Sequence, residues 1–152
     1  MILVIGYGNT LRSDDGVGQH IAQEIAARSW PGVRSIIVHQ LMPELAAEIA
    51  PSSLVIFVDA IEGRAKEGVQ VIDIIAAQSA SAMTHHATPQ GLMQLAHSLY
   101  GYCPRAMLVS VTGVNFELGE HLSTVALQNA EVALRLIGIQ VVNHLKQGTH
   151  PA

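Results

Sequence analysis

Residues 6–18 read GYGNTLRSDDGVG and follow directly on the apolar run ILVIG at residues 2–6. A short run rich in Val and Ile that ends in glycines and passes into a helical pattern reads as strand, turn and helix, the opening of an α/β fold. The glycine spacing invites comparison with the dinucleotide-binding loop G-x-G-x-x-G, in which free N–H groups at a helix start meet a pyrophosphate. Gly6 and Gly8 fit that pattern, but Leu11 stands where the third glycine belongs and the next glycine is Gly16. Asp14 and Asp15 occupy the helix start, where their carboxylates would repel an anion. No nucleotide is expected there. The pair has a local use, since Ser13 or Asp14 can cap the helix and acidic residues in a first turn complement its dipole. Capping accounts for only one of the two aspartates. Adjacent helical residues point in different directions, so the other is expected to face the cleft above the strands.

Working outward, further short apolar runs recur: SIIVH (35–39), LVIFVDA (54–60), VQVIDII (69–75) and AMLVSVTG (106–113). Each is read as a strand buried on both faces. Helical patterns lie between most of them, at 14–29 with Val17, Ile21, Ile25 and Ala26 near one face, and at 43–50 with Leu45, Ala46 and Ile49. Further helices are expected from Thr88 to Tyr100 and from Ser123 to Gln147. The connection IEGRAKEG, residues 61–68, is too short for a crossover helix, so the fourth strand is expected antiparallel at an edge. The resulting expectation is a single three-layer α/β/α domain over 1–147. Its mostly parallel five-stranded twisted sheet has one antiparallel edge strand and helices on both faces, and 148–152 form a flexible tail.

Composition narrows the function. The chain has 152 residues, of which 49% are hydrophobic, and that suffices for one core. A net charge of −4 without a basic cluster argues against nucleic acid, which needs concentrated Lys and Arg. The single cysteine, Cys103, has no intramolecular partner for a disulfide, and the chain opens on a strand-like run in place of a signal peptide, so a cytoplasmic location is expected. The aliphatic C-terminal segment is interrupted by Glu131, Arg135, Gln140 and Asn143, so no membrane span is expected. Cys103, beside Pro104, reads as an incidental thiol and not a nucleophile. The G-x-S-x-G, H-E-x-x-H and Walker-type patterns are absent.

Ligands of open α/β sheets bind beyond the carboxyl ends of the strands. Asp15 follows the first strand there. Asp59 ends five apolar residues of the third, a costly place for a carboxylate unless it is paired or bound to a cation. MTHHATPQGL, residues 83–92, puts His85 and His86 in a loop before a helix whose Pro89 suits its first turn. Each group has a plainer use, as a turn or capping aspartate or as a histidine bonded to backbone. Together, two carboxylates and an imidazole from three loops would make a three-ligand site with open positions, suited to a first-row divalent metal.

The motif GYGNTLRSDDGVG after ILVI, then VDA, then THHATP before a helix, resembles the [NiFe]-hydrogenase maturation endopeptidases over most of the chain and in the same order. The resemblance implies an endopeptidase that removes a C-terminal extension from a hydrogenase large-subunit precursor after nickel insertion. Nickel on the precursor would be the recognition signal, with no metal of the protease's own required at rest. By position it makes Asp15, Asp59 and His86 the metal-binding and catalytic groups. HATP is similar to the H-x-x-P of some members, which favours His86 over His85. Gly8, Asn9, Gln40 and Glu44 become candidates for contact with the precursor. Where many members carry an acidic, glycine-rich turn after the second strand, this chain has HQLMPELA at 39–46, a pattern that resembles the branch serving soluble, bidirectional, pyridine-nucleotide-linked hydrogenases. Pro43 and Glu44 also suit a plain helix start. A monomer is expected, and the rival reading is a nickel-binding accessory protein without catalysis.

Overall fold

The computed structural model describes residues 1–75 and 88–148. The order of elements is β1 (Ile2–Tyr7), α1 (Val17–Arg28), β2 (Val33–Val38), α2 (Ala46–Ile49), β3 (Leu54–Glu62), β4 (Val69–Ile74), α3 (Pro89–Tyr100), β5 (Arg105–Gly113) and α4 (Thr124–Gly148). Short 3-10 turns at Ser13–Gly16, Pro43–Leu45 and Ala65–Glu67 precede α1, α2 and β4. The sheet runs β2-β1-β3-β5-β4; the first four strands are parallel, and β4 lies antiparallel to β5 at the edge. This is the mixed sheet expected from the sequence. The short β3–β4 connection forces it, because a six-residue link cannot carry a crossover.

Alternation along each strand splits the core in two. Ile2 and Val4 of β1, Ile56 and Val58 of β3, and Val109 and Val111 of β5 pack with Ile21 and Ile25 of α1 and Ala130, Ala133 and Ile137 of α4. Leu3, Ile5, Val55 and Phe57 face the other way, onto Ile49 of α2 and Leu92, Met93 and Ala96 of α3. Phe57 is wholly buried in this second layer, and its truncation to alanine costs about 3–5 kcal/mol.

Two local readings shift. The first helix does not run continuously from residue 14. Ser13 adopts a left-handed φ of 52°, a 3-10 turn follows, and regular helix begins at Val17. The 43–50 helix divides at Leu45, with Pro43 setting the turn and the α-helical part only four residues long. At the C-terminus α4 runs to Gly148. By length and composition alone it is long and apolar enough to cross a membrane, a test that the core helix of a soluble domain also meets. Part of that hydropathy is its core stripe of Ala126, Ala130, Ala133, Leu134, Ile137 and Val141.

Candidate functional site

The carboxyl edge of β1 and β3 is shaped by an unusually close approach of helix to sheet. A Cβ on Gly18, in the first turn of α1, would lie 2.5 Å from the Val58 carbonyl oxygen and 2.6 Å from that of Tyr7. Only glycine lets α1 start so near the strand ends, and this brings the Ser13–Gly16 turn over them. Gly8 has the same function on the loop side: its φ of +141° disfavours any side chain, and a Cβ there would overlap the Asp15 carbonyl oxygen. Gln19 Nε2 ties the loop down by donating to the Gly8 carbonyl at 2.7 Å.

The two aspartates have separate tasks. Asp14 is fully buried and its carboxylate accepts from Val114 N–H (2.9 Å), Asn115 N–H (3.0 Å), Ser123 N–H (2.7 Å) and Ser123 Oγ–H (2.7 Å). Burial alone would raise its pKa, but the bonds from Ser123, Val114 and Asn115 outweigh that and hold it below the usual carboxylate value. Ser123 in turn accepts the Ala126 N–H at 3.1 Å and so caps α4. Asp14 therefore does not cap its own helix, and neither does Ser13, whose Oγ donates to the Glu117 carbonyl at 2.8 Å. Both residues bind the β5–α4 loop instead. The local capping reading is corrected on this point.

Asp15 is half-buried, and its Oδ2 accepts the Asn9 N–H at 2.8 Å. Asn9 turns its own side-chain oxygen to the Leu11 N–H at 2.9 Å, an Asx turn that shapes the loop. Asp59 stands near the end of β3. Burial raises its pKa to about 6; the neighbouring Tyr7 hydroxyl and Ala60 N–H act in the opposite sense, and the nearby Asp15 charge adds to the rise. The Tyr7 hydroxyl is itself shifted upward, by burial first and then by the Asp59 charge and hydrogen bond.

Asp15, Asp59, Gly8 and Gln40 line one cleft of about 490 Å³. Its remaining walls come from Tyr7, His39 and the Leu41–Pro43 segment. Tyr7 and His39 were not singled out from sequence, although each sits at the carboxyl end of a strand, the position that had flagged the two aspartates. Gln40 Nε2 contacts Met42 Sδ at 3.5 Å within this wall. Glu44 is exposed on the adjoining turn and is not among the cleft's lining residues. His85 and His86 lie outside the described residues. The element that follows them, α3, starts with Thr88 Oγ1 accepting the Gly91 N–H at 3.1 Å and Pro89 in the first turn, and it packs against α2 and the Pro43–Leu45 turn. Among the described residues no three His, Cys, Asp or Glu side chains are grouped to hold a metal ion. Two carboxylates open to one cleft are the donor set that the described residues offer, fit for part of an oxygen-rich site with positions left for an incoming group. Cys103 is half-buried against the second core layer, away from this cleft.

No protein-family model matches the chain, and no curated protein matches it. Solved structures do. The [NiFe] hydrogenase maturation protease HybD from Thermococcus kodakarensis superposes with a TM-score of 0.71 at 17% identity, over 91% of this chain and 97% of that one. The hydrogenase maturating endopeptidase HybD from E. coli gives 0.68 at 23%, over 97% and 93%. The [NiFe] hydrogenase maturation protease HycI from Thermococcus kodakarensis KOD1 gives 0.67 at 26%, over 90% and 88%. The shared α/β fold extends over nearly the whole chain. Together with the order of the three motifs, it supports assignment to the hydrogenase maturation proteases.

Proposed function

We propose that this chain is an endopeptidase that removes the C-terminal extension of a [NiFe]-hydrogenase large-subunit precursor after nickel has been inserted, reading that nickel as its signal. The observation that carries the reading is the pair of carboxylates, Asp15 and Asp59, held by different elements in a single cleft at the carboxyl edge of the sheet. In this proposal nickel is part of the substrate. Asp15, Asp59 and His86 are the groups that would receive it, with His85 the alternative imidazole. Gly8, Asn9, Gln40 and Glu44 are the proposed neighbours of the precursor chain. Docking the metal would hold the adjacent scissile peptide at the cleft and exclude precursors without nickel. Nickel bound there can supply Lewis-acid polarisation of a carbonyl or activation of water, and a carboxylate acting as base through water is the route available to the protein itself. The HQLMPELA segment at 39–46, whose first five residues line the cleft, supports a soluble bidirectional, NAD(P)-linked hydrogenase as the source of the precursor. The proposal has the chain acting as a cytoplasmic monomer.

The test is the mass of a nickel-loaded large-subunit precursor of that class, incubated with the protein and with its Asp15→Ala, Asp59→Ala and His86→Ala variants, beside a nickel-free precursor. Loss of a C-terminal peptide with the parent protein and the loaded precursor alone is the expected result. An unchanged mass for a precursor that its own protease cleaves, with tight binding of free nickel by this chain, would replace the proposal with a nickel-binding accessory role.

A further inference from the structure

We infer that the free edge of β3 at residues 59–62 receives the precursor's polypeptide as an added strand, laying the segment to be cut beside Asp59. This inference rests on the proposed function and adds to it the conformation in which the substrate is held. β3 outruns its neighbour on one side. Its last partner in β1 is Gly6, opposite Val58, whereas towards β5 Asp59, Ala60, Ile61 and Glu62 pair with Ser110, Val111, Thr112 and Gly113. Main-chain groups alternate between the two sides of a strand. Gly63 N–H donates to the Gly113 carbonyl, towards β5, so Ala60 and Glu62 direct their main-chain groups the opposite way, to the side that β1 has left. β1 does not continue there. Gly8 turns the chain with its φ of +141°, and the Asn9 N–H, next in line for the Ala60 carbonyl, is donated to Asp15 Oδ2 at 2.8 Å. Among the described residues the Ala60 carbonyl and the Glu62 N–H have no hydrogen-bond partner. Both ends of this edge are open. Asp59 lines the cleft of about 490 Å³, and Glu62 lines a second hollow of about 510 Å³ with Arg12 and the start of the β5–α4 loop. Ile61, between them, is 50% exposed. An added strand takes its affinity from main-chain bonds and its selectivity from alternate side chains, here over Asp59 and Ile61 on one face and towards Glu62 and Arg12 on the other. A four-residue edge that ends in a charge is a poor template for a second copy of this chain. The substrate of an endopeptidase has the matching chemistry: an extended main chain that carries N–H and C=O groups on both sides of the bond to be cut.

The Glu62 N–H is the group to test. Glu62→Pro removes this donor where it points away from β5, so the sheet keeps its own ladder, while Glu62→Ala keeps the donor and removes the carboxylate. KM and kcat are measured for processing of the nickel-loaded large-subunit precursor. Binding as an added strand predicts a KM for Glu62→Pro about tenfold above that of Glu62→Ala, from a lost main-chain bond and a ring on the docking edge. Equal KM values for the two variants would overturn the inference and leave the protease reading standing. A second measurement uses the parent protein and decides the matter if Glu62→Pro does not fold. Amide hydrogen exchange is followed by mass spectrometry of short fragments, in the free protein and during turnover with saturating loaded precursor. The Glu62 amide should exchange about tenfold more slowly with precursor present, while Gly63, already bonded to Gly113, serves as the reference. Unchanged exchange at Glu62 would overturn the inference. So would protection that grows with this protein's own concentration in the absence of precursor, which would assign the edge to a second copy. If the parent fails to cleave a precursor that its own protease cleaves, the proposed function falls and this inference falls with it.

Discussion

Replacing Asp59 with Asn is expected to make the folded protein more stable above pH 6. The carboxylate is set largely out of water at the end of β3, and burial moves its pKa from 3.8 to about 6. A pKa raised on folding means that the folded state holds this proton more tightly than the unfolded chain does. Its contribution is therefore fully present below the unfolded value near 4 and is lost as pH rises through about 6. Each tenfold change in the proton equilibrium is about 1.4 kcal/mol, so ionising Asp59 in the folded protein costs up to about 3 kcal/mol. Partial solvent access discounts this to about 2 kcal/mol. Asn keeps the shape but carries no charge. Urea denaturation of parent and variant at a series of pH values between 4 and 8 tests the reasoning. The variant should be the more stable by about 2 kcal/mol at pH 8, and the advantage should shrink steadily towards pH 4. A gap of constant size across that range, or a variant less stable than the parent at pH 8, would refute the account of Asp59 as a buried carboxylate kept at an energetic cost.

Asp14 should behave in the opposite way. Asp14→Ala leaves the Val114, Asn115 and Ser123 N–H groups without their acceptor and is expected to cost about 3–4 kcal/mol, since water reaches the exposed Val114 and Asn115 but less readily Ser123. In a thermal melt that is roughly a 6–16 °C loss, and a shift under 2 °C would contradict it. Asp14→Asn, able to keep the Oδ2-side bonds, should lose less. Because its folded pKa is lowered, the stabilisation from ionised Asp14 is present above about pH 4 and lost on acidification through the lower folded value, so parent and Asp14→Ala should converge in stability as the pH is lowered below 4. Gly8→Ala combines a disfavoured φ with overlap on the Asp15 carbonyl and should cost about 3 kcal/mol in a denaturation experiment. Cys103→Ser should leave the precursor-processing rate unchanged, and inhibition of the parent by a thiol-alkylating reagent would argue against this assignment.

What the sequence made legible was whatever depends on short distances along the chain. The antiparallel edge strand followed from a link too short to cross over, and the buried strands β1, β3 and β5 from their apolar runs. Burial on both faces was wrongly expected of β2 and β4, which lie at the two edges of the sheet and are half-buried or exposed. The rule that ligands gather beyond strand carboxyl ends brought Asp15 and Asp59 to one cleft. What escaped was set by partners far away. Asp14 looked like a helix cap because its neighbours in sequence are a helix start, yet its four hydrogen bonds reach residues 100 to 109 positions away, in the β5–α4 loop. No local pattern distinguishes a carboxylate that caps the next turn from one that anchors a distant loop. Tyr7 escaped for a related reason. In GYGN it reads as the variable residue between two glycines, and only the fold brings it to the cleft that Asp59 lines. The adjacent aspartates thus divide along a physical line. The one satisfied by four donors is held ionised and stabilises the loop that starts α4, while Asp15 bonds the Asn9 N–H and lines the cleft. Asp59, half-buried beside it, is disfavoured as an ion. Bringing such a costly charge to an open edge next to a second carboxylate stabilises nothing in the protein alone, and a cation arriving from outside is the partner that would offset it.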